Sequence, residues 1–325
     1  MMTKKRLALL TVFMTFSYFV LLLLLPESVI GNRAESGLLF FFKIGFLGMT
    51  AAIVTAIILA VILKREFVKH QISTFSRFKY LLGLLVKRDF QSRYRKSVLG
   101  VLWSLLNPLL TMLVMTMVFS YMFKNEIENF PVYLLSGLVM FGFFNESTTS
   151  AMGSVVGGGA IIKKVYVPKY IFPISRVLSS LVNLFFSLLA FVLVAVVTRA
   201  PFHWTIFLIP IPIVYVFVFS LGMAMLLSSL VVFFRDLSYL YGIILTLWMY
   251  LTPLFYPVSA IPERLMPFYG LNPMYQFVDY FRNLALYGNI PGLWTNAVCA
   301  GFSLAALCVG TYTFMTKQDR YILYL

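Results

Sequence analysis

Continuous apolar runs of about twenty residues recur along almost the whole chain, and no other feature limits its fold as tightly. A run of that length crosses the hydrocarbon core of a bilayer as a single helix. Lipid offers the backbone no hydrogen-bond partner, so a spanning chain is either helical or a closed barrel. The runs lack the period-two alternation of barrel strands, which leaves helices. Charged residues make up 11% of the chain, well under the roughly 25% of a soluble domain. The net charge of +15 would point to nucleic acid on a soluble protein. Here the basic residues fall between apolar runs, where they orient helices instead.

Eight spans are expected, near 7–25, 38–63, 98–123, 132–152, 170–197, 204–231, 239–257 and 291–316. The first follows Lys4, Lys5 and Arg6 and ends in Pro26-Glu27 without a small-residue cleavage pattern, which favours a retained anchor over a signal peptide. With both termini on the cytoplasmic side, 20 of the 26 Lys and Arg lie in cytoplasmic segments, ten of them within 64–96. Arg282 is one of the six assigned to the outer side. That bias is the positive-inside pattern.

Two segments break the rhythm. Between 75 and 90, Phe75, Phe78, Leu82 and Leu85 share a helical face opposite Arg77, Lys87 and Arg88, as in an amphipathic helix lying in the membrane interface. Between 259 and 289, Pro262, Pro267 and Pro273 leave pieces too short to span, which fits two short helices dipping into the outer leaflet.

Phosphate-loop, Asp-x-Asp and His-Glu-x-x-His patterns are all absent, so the sequence contains no nucleotide-binding loop and no metal-ligand cluster. Cys299 and Cys308 would lie roughly 13.5 Å apart along one helix, too far for a disulfide. Glu146 is the one acidic residue inside an expected span, so it must pair, face a cavity or lie near the cytoplasmic end. In the link before the third of the six later spans, Ile161, Ile162, Val165 and Tyr166 share a helical face, with Lys163 and Lys164 pointing elsewhere. A short apolar face of this kind suits a groove on another protein. The same residues also suit a basic loop flanking two spans, and the pattern alone does not choose.

The ordered motifs resemble one family. Ile161 to Lys169, with Pro168 and then Pro173, is similar to the cytoplasmic link in permeases of the type-2 ABC exporter family, in particular the branch exporting O-antigen, capsule or teichoic acid. Arg93-Tyr94-Arg95-Lys96-Ser97-Val98-Leu99-Gly100, Trp103, Pro108, Arg235-Asp236-Leu237, Pro253-Leu254-Phe255-Tyr256-Pro257, Ile261-Pro262-Glu263, Asn272-Pro273 and Tyr280-Phe281-Arg282 agree in the same order. The resemblance spans about 75–325. Two features depart from it: Phe141 stands where the family often carries Trp, and the first 70 residues add two spans.

The resemblance implies an all-α, six-helix exporter domain at 71–325 with a two-helix extension at 1–70, in the bacterial cytoplasmic membrane. It also implies a transport subunit rather than an enzyme, working as a homodimer with two copies of a cytoplasmic ATPase that binds the ATP and Mg. Ile161, Ile162, Lys163, Lys164, Val165 and Tyr166 would then couple to that ATPase. A lipid-linked polysaccharide is the implied cargo, with a lipid or drug as the alternative and a membrane-embedded transferase further off. Trp103, Tyr121, Tyr241, Trp248, Tyr250, Tyr256, Tyr269 and Tyr275 can stack on sugar faces, although Tyr and Trp also collect at membrane interfaces. Lys87, Arg88, Arg93, Arg95 and Lys96 can take a carrier pyrophosphate or anionic membrane lipid.

Overall fold

The computed structural model describes residues 65–95, 97–123, 127 and 129–325. The two expected spans at 7–25 and 38–63, and Lys96, lie outside the described residues. The described chain is all-α, without a strand among these residues. Its helices are α1 (Arg65–Tyr94), α2 (Leu102–Phe123), α3 (Phe130–Met152), α4 (Ser154–Gly157), α5 (Gly159–Ile162), α6 (Ile171–Val197), α7 (Pro210–Phe233), α8 (Leu237–Tyr250), α9 (Met266–Gly270), α10 (Pro273–Ala285) and α11 (Leu293–Lys317). Short 3-10 turns cover Trp204–Leu208, Val258–Ala260, Glu263–Leu265 and Gln318–Leu323.

Four of the described helical stretches are long and apolar enough to cross a membrane: Leu102–Phe119, Ile171–Val197, Trp204–Phe233 and Leu293–Leu323. Two expected spans differ from that standard. α3 has 23 residues, but Asn145 to Ser150 make its second half polar. α8 has only 14, about 21 Å of helix against a core of about 30 Å. It stops at Tyr250 rather than running to 257, because a helical Pro253 would lack its N–H and clash with the preceding turn.

The main core forms where α3, α6, α7 and α10 meet, around Leu134, Phe144, Val216, Phe219, Phe277 and Phe281. α7 and α11 pack backbone to backbone. A Cβ on Gly222 would overlap the Ala306 carbonyl, and one on Gly310 would overlap the Gly222 carbonyl oxygen, so only glycine permits this approach. A second core lies at the link end of the bundle, where Leu82 and Leu85 of α1 meet Ile162, Tyr170, Phe314 and Tyr321. The apolar face expected for an interfacial helix at 75–90 is therefore partly covered by protein, and α1 extends beyond both of the predicted ends.

Candidate functional site

α3 joins the two ends that matter. Its first turns meet the 253–256 turn and α10, and its last runs into the link. At the first end Arg282 is 2% exposed. Its Nε donates to Ser136 Oγ at 3.1 Å, Nη1 to the Pro253 carbonyl at 2.7 Å, and Nη2 to the carbonyls of Tyr133 and Leu254 at 3.2 and 3.0 Å. The guanidinium also lies 3.5 Å over the Tyr133 ring. One side chain thus ties α10 to α3 and to the turn after α8. Read from the sequence as one of the outer-side basic residues, Arg282 is buried among side chains of its own chain. A signal for this was present: Val278, Phe281 and Ala285 surround it on the apolar stripe of α10.

Asn272 fastens the same region from the other side. Its Oδ1 caps α10 by accepting from Met274 N at 3.0 Å and Tyr275 N at 3.4 Å, and it accepts the Trp248 indole N–H at 2.8 Å. Its Nδ2 donates to the Leu251 carbonyl and to Thr252 Oγ1. Asn followed by Pro is an N-cap with proline in the first turn, so this helix start was readable from sequence.

The candidate aromatic residues divide. Tyr256, Tyr269 and Tyr275 come together: the Tyr256 and Tyr269 hydroxyls are 3.3 Å apart, and the Tyr269 and Tyr275 rings stand 6.2 Å apart, edge to face. The Tyr256 hydroxyl also donates to the carbonyl of exposed Tyr250 at 2.8 Å. Beside them a hollow of about 480 Å³ is lined by Ile244, Leu247, Trp248, Leu251, Phe268 and Tyr269. Tyr241 is buried and donates to Thr148 Oγ1 at 2.8 Å, so within the protomer it ties α8 to α3. Trp248 is half-buried against Phe144 and Phe219 with its N–H committed, so it anchors α8. Trp103 is exposed at the start of α2, away from the cluster in sequence, and the Tyr121 side chain lies outside the described residues.

The basic set also divides. Arg93 Nη1 and Asn183 Nδ2 both donate to Glu146 Oε1, joining α1, α3 and α6. Asn183 Oδ1 in turn accepts from Ser104 of α2 at 3.5 Å. One turn back on α1, Asp89 meets Arg88 at 3.0 Å and Arg176 of α6 at 3.3 Å. Glu146 is therefore paired, and Arg88 and Arg93 each meet a carboxylate of this chain while their side chains stay partly exposed. Lys87 and Arg95 are exposed. Arg95, Arg88, Gln91, Ser92 and Gly100 line a hollow of about 710 Å³.

The link does not keep the single apolar face that its spacing predicts. α5 ends at Ile162, and Pro168 lies too close for another turn to form. Ile162 is buried in the second core and Ile161 packs against it, while Lys163, Lys164, Val165 and Tyr166 project outward. Tyr166 is 92% exposed. Beneath the link, burial pushes the Tyr170 hydroxyl above its usual pKa, with a smaller contribution from Tyr166. The residues after α11 also fold under the link. Lys169 Nζ donates to the Gln318 carbonyl at 2.6 Å.

Residues 80–286 match the ABC-2 type transporter family. An O-antigen export system permease protein of Myxococcus xanthus is 28% identical over 75% of this chain and 95% of its own length. One from Klebsiella pneumoniae is 31% identical over 64% of this chain and 82% of its own. A polysialic acid transport protein of Escherichia coli is 23% identical over 76% and 97%. With a helical bundle of membrane-spanning length and a family match covering well over half the sequence, the chain is a multi-pass membrane protein belonging to the ABC-2 type transporter family.

Proposed function

We propose that this protein is the permease subunit of an ATP-driven exporter that carries a lipid-linked cell-surface polysaccharide across the bacterial cytoplasmic membrane. The observation that carries this reading is the similarity to an O-antigen export permease and a polysialic acid transport protein over about three quarters of the chain. The tyrosine cluster at 256, 269 and 275 supports a glycan cargo. Sugar rings have apolar faces that suit aromatic edges, and their hydroxyls suit the phenol groups.

In this reading the protein forms a homodimer and binds two copies of a separate cytoplasmic ATPase, which supplies ATP and Mg. The apolar outer face of α2, with Leu110, Leu113, Val114 and Met117 exposed, is available to a second copy or to lipid. The bias of basic residues supports cytoplasmic termini, with the tyrosine cluster outside. Residues 1–70 form an N-terminal extension to the transport domain at 71–325. Arg95, which lines the 710 Å³ hollow, and exposed Lys87 are the residues best disposed to meet a carrier phosphate, or anionic lipid, at the cytoplasmic face.

Coupling to the ATPase falls to the outward part of the link. Tyr166→Asp changes a side chain that supports nothing within the protomer, so the permease keeps its fold. The ATPase recovered with it should drop about tenfold or more, as for loss of an aromatic anchor at an interface. Full recovery of ATPase with Tyr166→Asp would contradict the coupling assignment. Ile162 is unsuited to this test, because a charge there disrupts the core beneath the link.

A further inference from the structure

The eight residues after α11 are held in place without using all their apolar surface. Tyr321 is fully buried, stacking edge to face on Phe314 and Phe233. Tyr324 adds a second ring contact to Phe233. Lys169, just beyond the link, donates to Gln318 and lies 5.8 Å over the Tyr321 ring. Leu325 reaches back to Gly159, where a Cβ would touch it at 3.5 Å. The segment is thus clamped to the link at both of its ends. Ile322 and Leu323 remain outside, and Leu323 is 81% exposed.

We propose that residues 318–325 form a second docking element for the ATPase subunit, presenting Ile322 and Leu323 on the surface begun by Val165 and Tyr166. This rests on the partner assigned under the proposed function and extends it to a segment outside the link. Three observations carry it. The segment is continuous with the link through Lys169 and Gly159, so both stand at one end of the bundle. Its buried anchor leaves the exposed pair fixed in direction, which lowers the ordering cost of binding. Exposed Lys163, Lys164 and Arg320 rim the apolar residues, with exposed Asp319 beside Arg320. The matching partner surface is an apolar cleft edged by carboxylates.

The test uses the whole chain assembled with the ATP-hydrolysing subunit that co-purifies from its native membrane. A photoreactive benzoylphenylalanine replaces Leu323 in one variant and Tyr166 in another. Adducts to the ATPase from both positions are expected. In parallel, Ile322→Asp with Leu323→Asp should lower ATPase recovery about fivefold or more, while Tyr321 keeps the segment folded. An ATPase adduct from 166, with only lipid adducts or none from 323, overturns this proposal and leaves the link assignment standing. An adduct from 323 without one from 166 supports the segment and contradicts the link. Adducts from neither position overturn both.

Discussion

Arg282→Ala should destabilise the purified protein by about 3 kcal/mol or more. The residue is buried and makes four hydrogen bonds to two other parts of the fold. The carbonyls of Pro253 and Leu254 lie in a non-helical turn and lose their guanidinium partner on truncation. Each acceptor left unsatisfied costs about 1–3 kcal/mol. Replacing a buried charge with an apolar side chain of similar size is sometimes neutral. Arg282→Met should nonetheless fall well below the wild type, because the Leu254 carbonyl loses its guanidinium donor and the Pro253 carbonyl keeps only the Tyr133 hydroxyl at 3.5 Å. Lysine should recover only part of the loss, since one ammonium cannot span acceptors arranged around a planar fork. The half-life of the monodisperse protein in detergent at a fixed temperature reads this directly. An unchanged half-life for Arg282→Ala would show that the guanidinium is not what holds α10 to α3.

The second large effect concerns transport rather than folding. Tyr→Ala at 256, 269 and 275 together should leave the assembly with the ATPase intact and lower surface glycan about tenfold or more. Aromatic contacts contribute about 0.5–1.5 kcal/mol each beyond burial, so three lost together amount to a tenfold or greater change. ATP hydrolysis should change far less, because the link lies at the other end of α3. The triple variant is tolerable to the fold: Tyr256 packs against the edge of the main core without being buried in it, and Tyr256 and Tyr269 otherwise engage each other and the Tyr250 carbonyl. Glycan export unchanged by the triple substitution would remove the tyrosines from the cargo path.

How far the sequence foretold these features depends on the range of the interaction. Helices set by continuous apolar runs were readable, and so was the start of α10, because an Asn cap and a first-turn Pro are local signals. The end of α8 was misplaced by several residues. Hydropathy continues to Pro257, but backbone geometry already fails before Pro253. The link misled in a similar way, since a helical spacing over six residues describes a face only if the helix lasts that long. Here it ends at Ile162, and one expected face becomes two. The pairings of Tyr241 with Thr148 and of Arg93 with Glu146 were not legible, because each joins residues far apart along the chain. Arg88 and Asp89 are adjacent, yet nothing local shows that the carboxylate is also shared with Arg176, far along the chain. Arg282 was the costliest omission, although its place on an apolar stripe was visible from spacing.

The central claim is that this chain moves a glycan outward, and its most direct test is where that glycan goes when the chain is removed. Cells depleted of the protein, with the biosynthetic machinery intact, can be fractionated and the lipid-linked polysaccharide measured on each side of the cytoplasmic membrane. Surface polysaccharide should disappear while lipid-linked polymer accumulates on the cytoplasmic side, with export restored by the wild-type chain but not by Tyr166→Asp. Normal surface polysaccharide in the depleted cells, with no polymer retained inside, would contradict it.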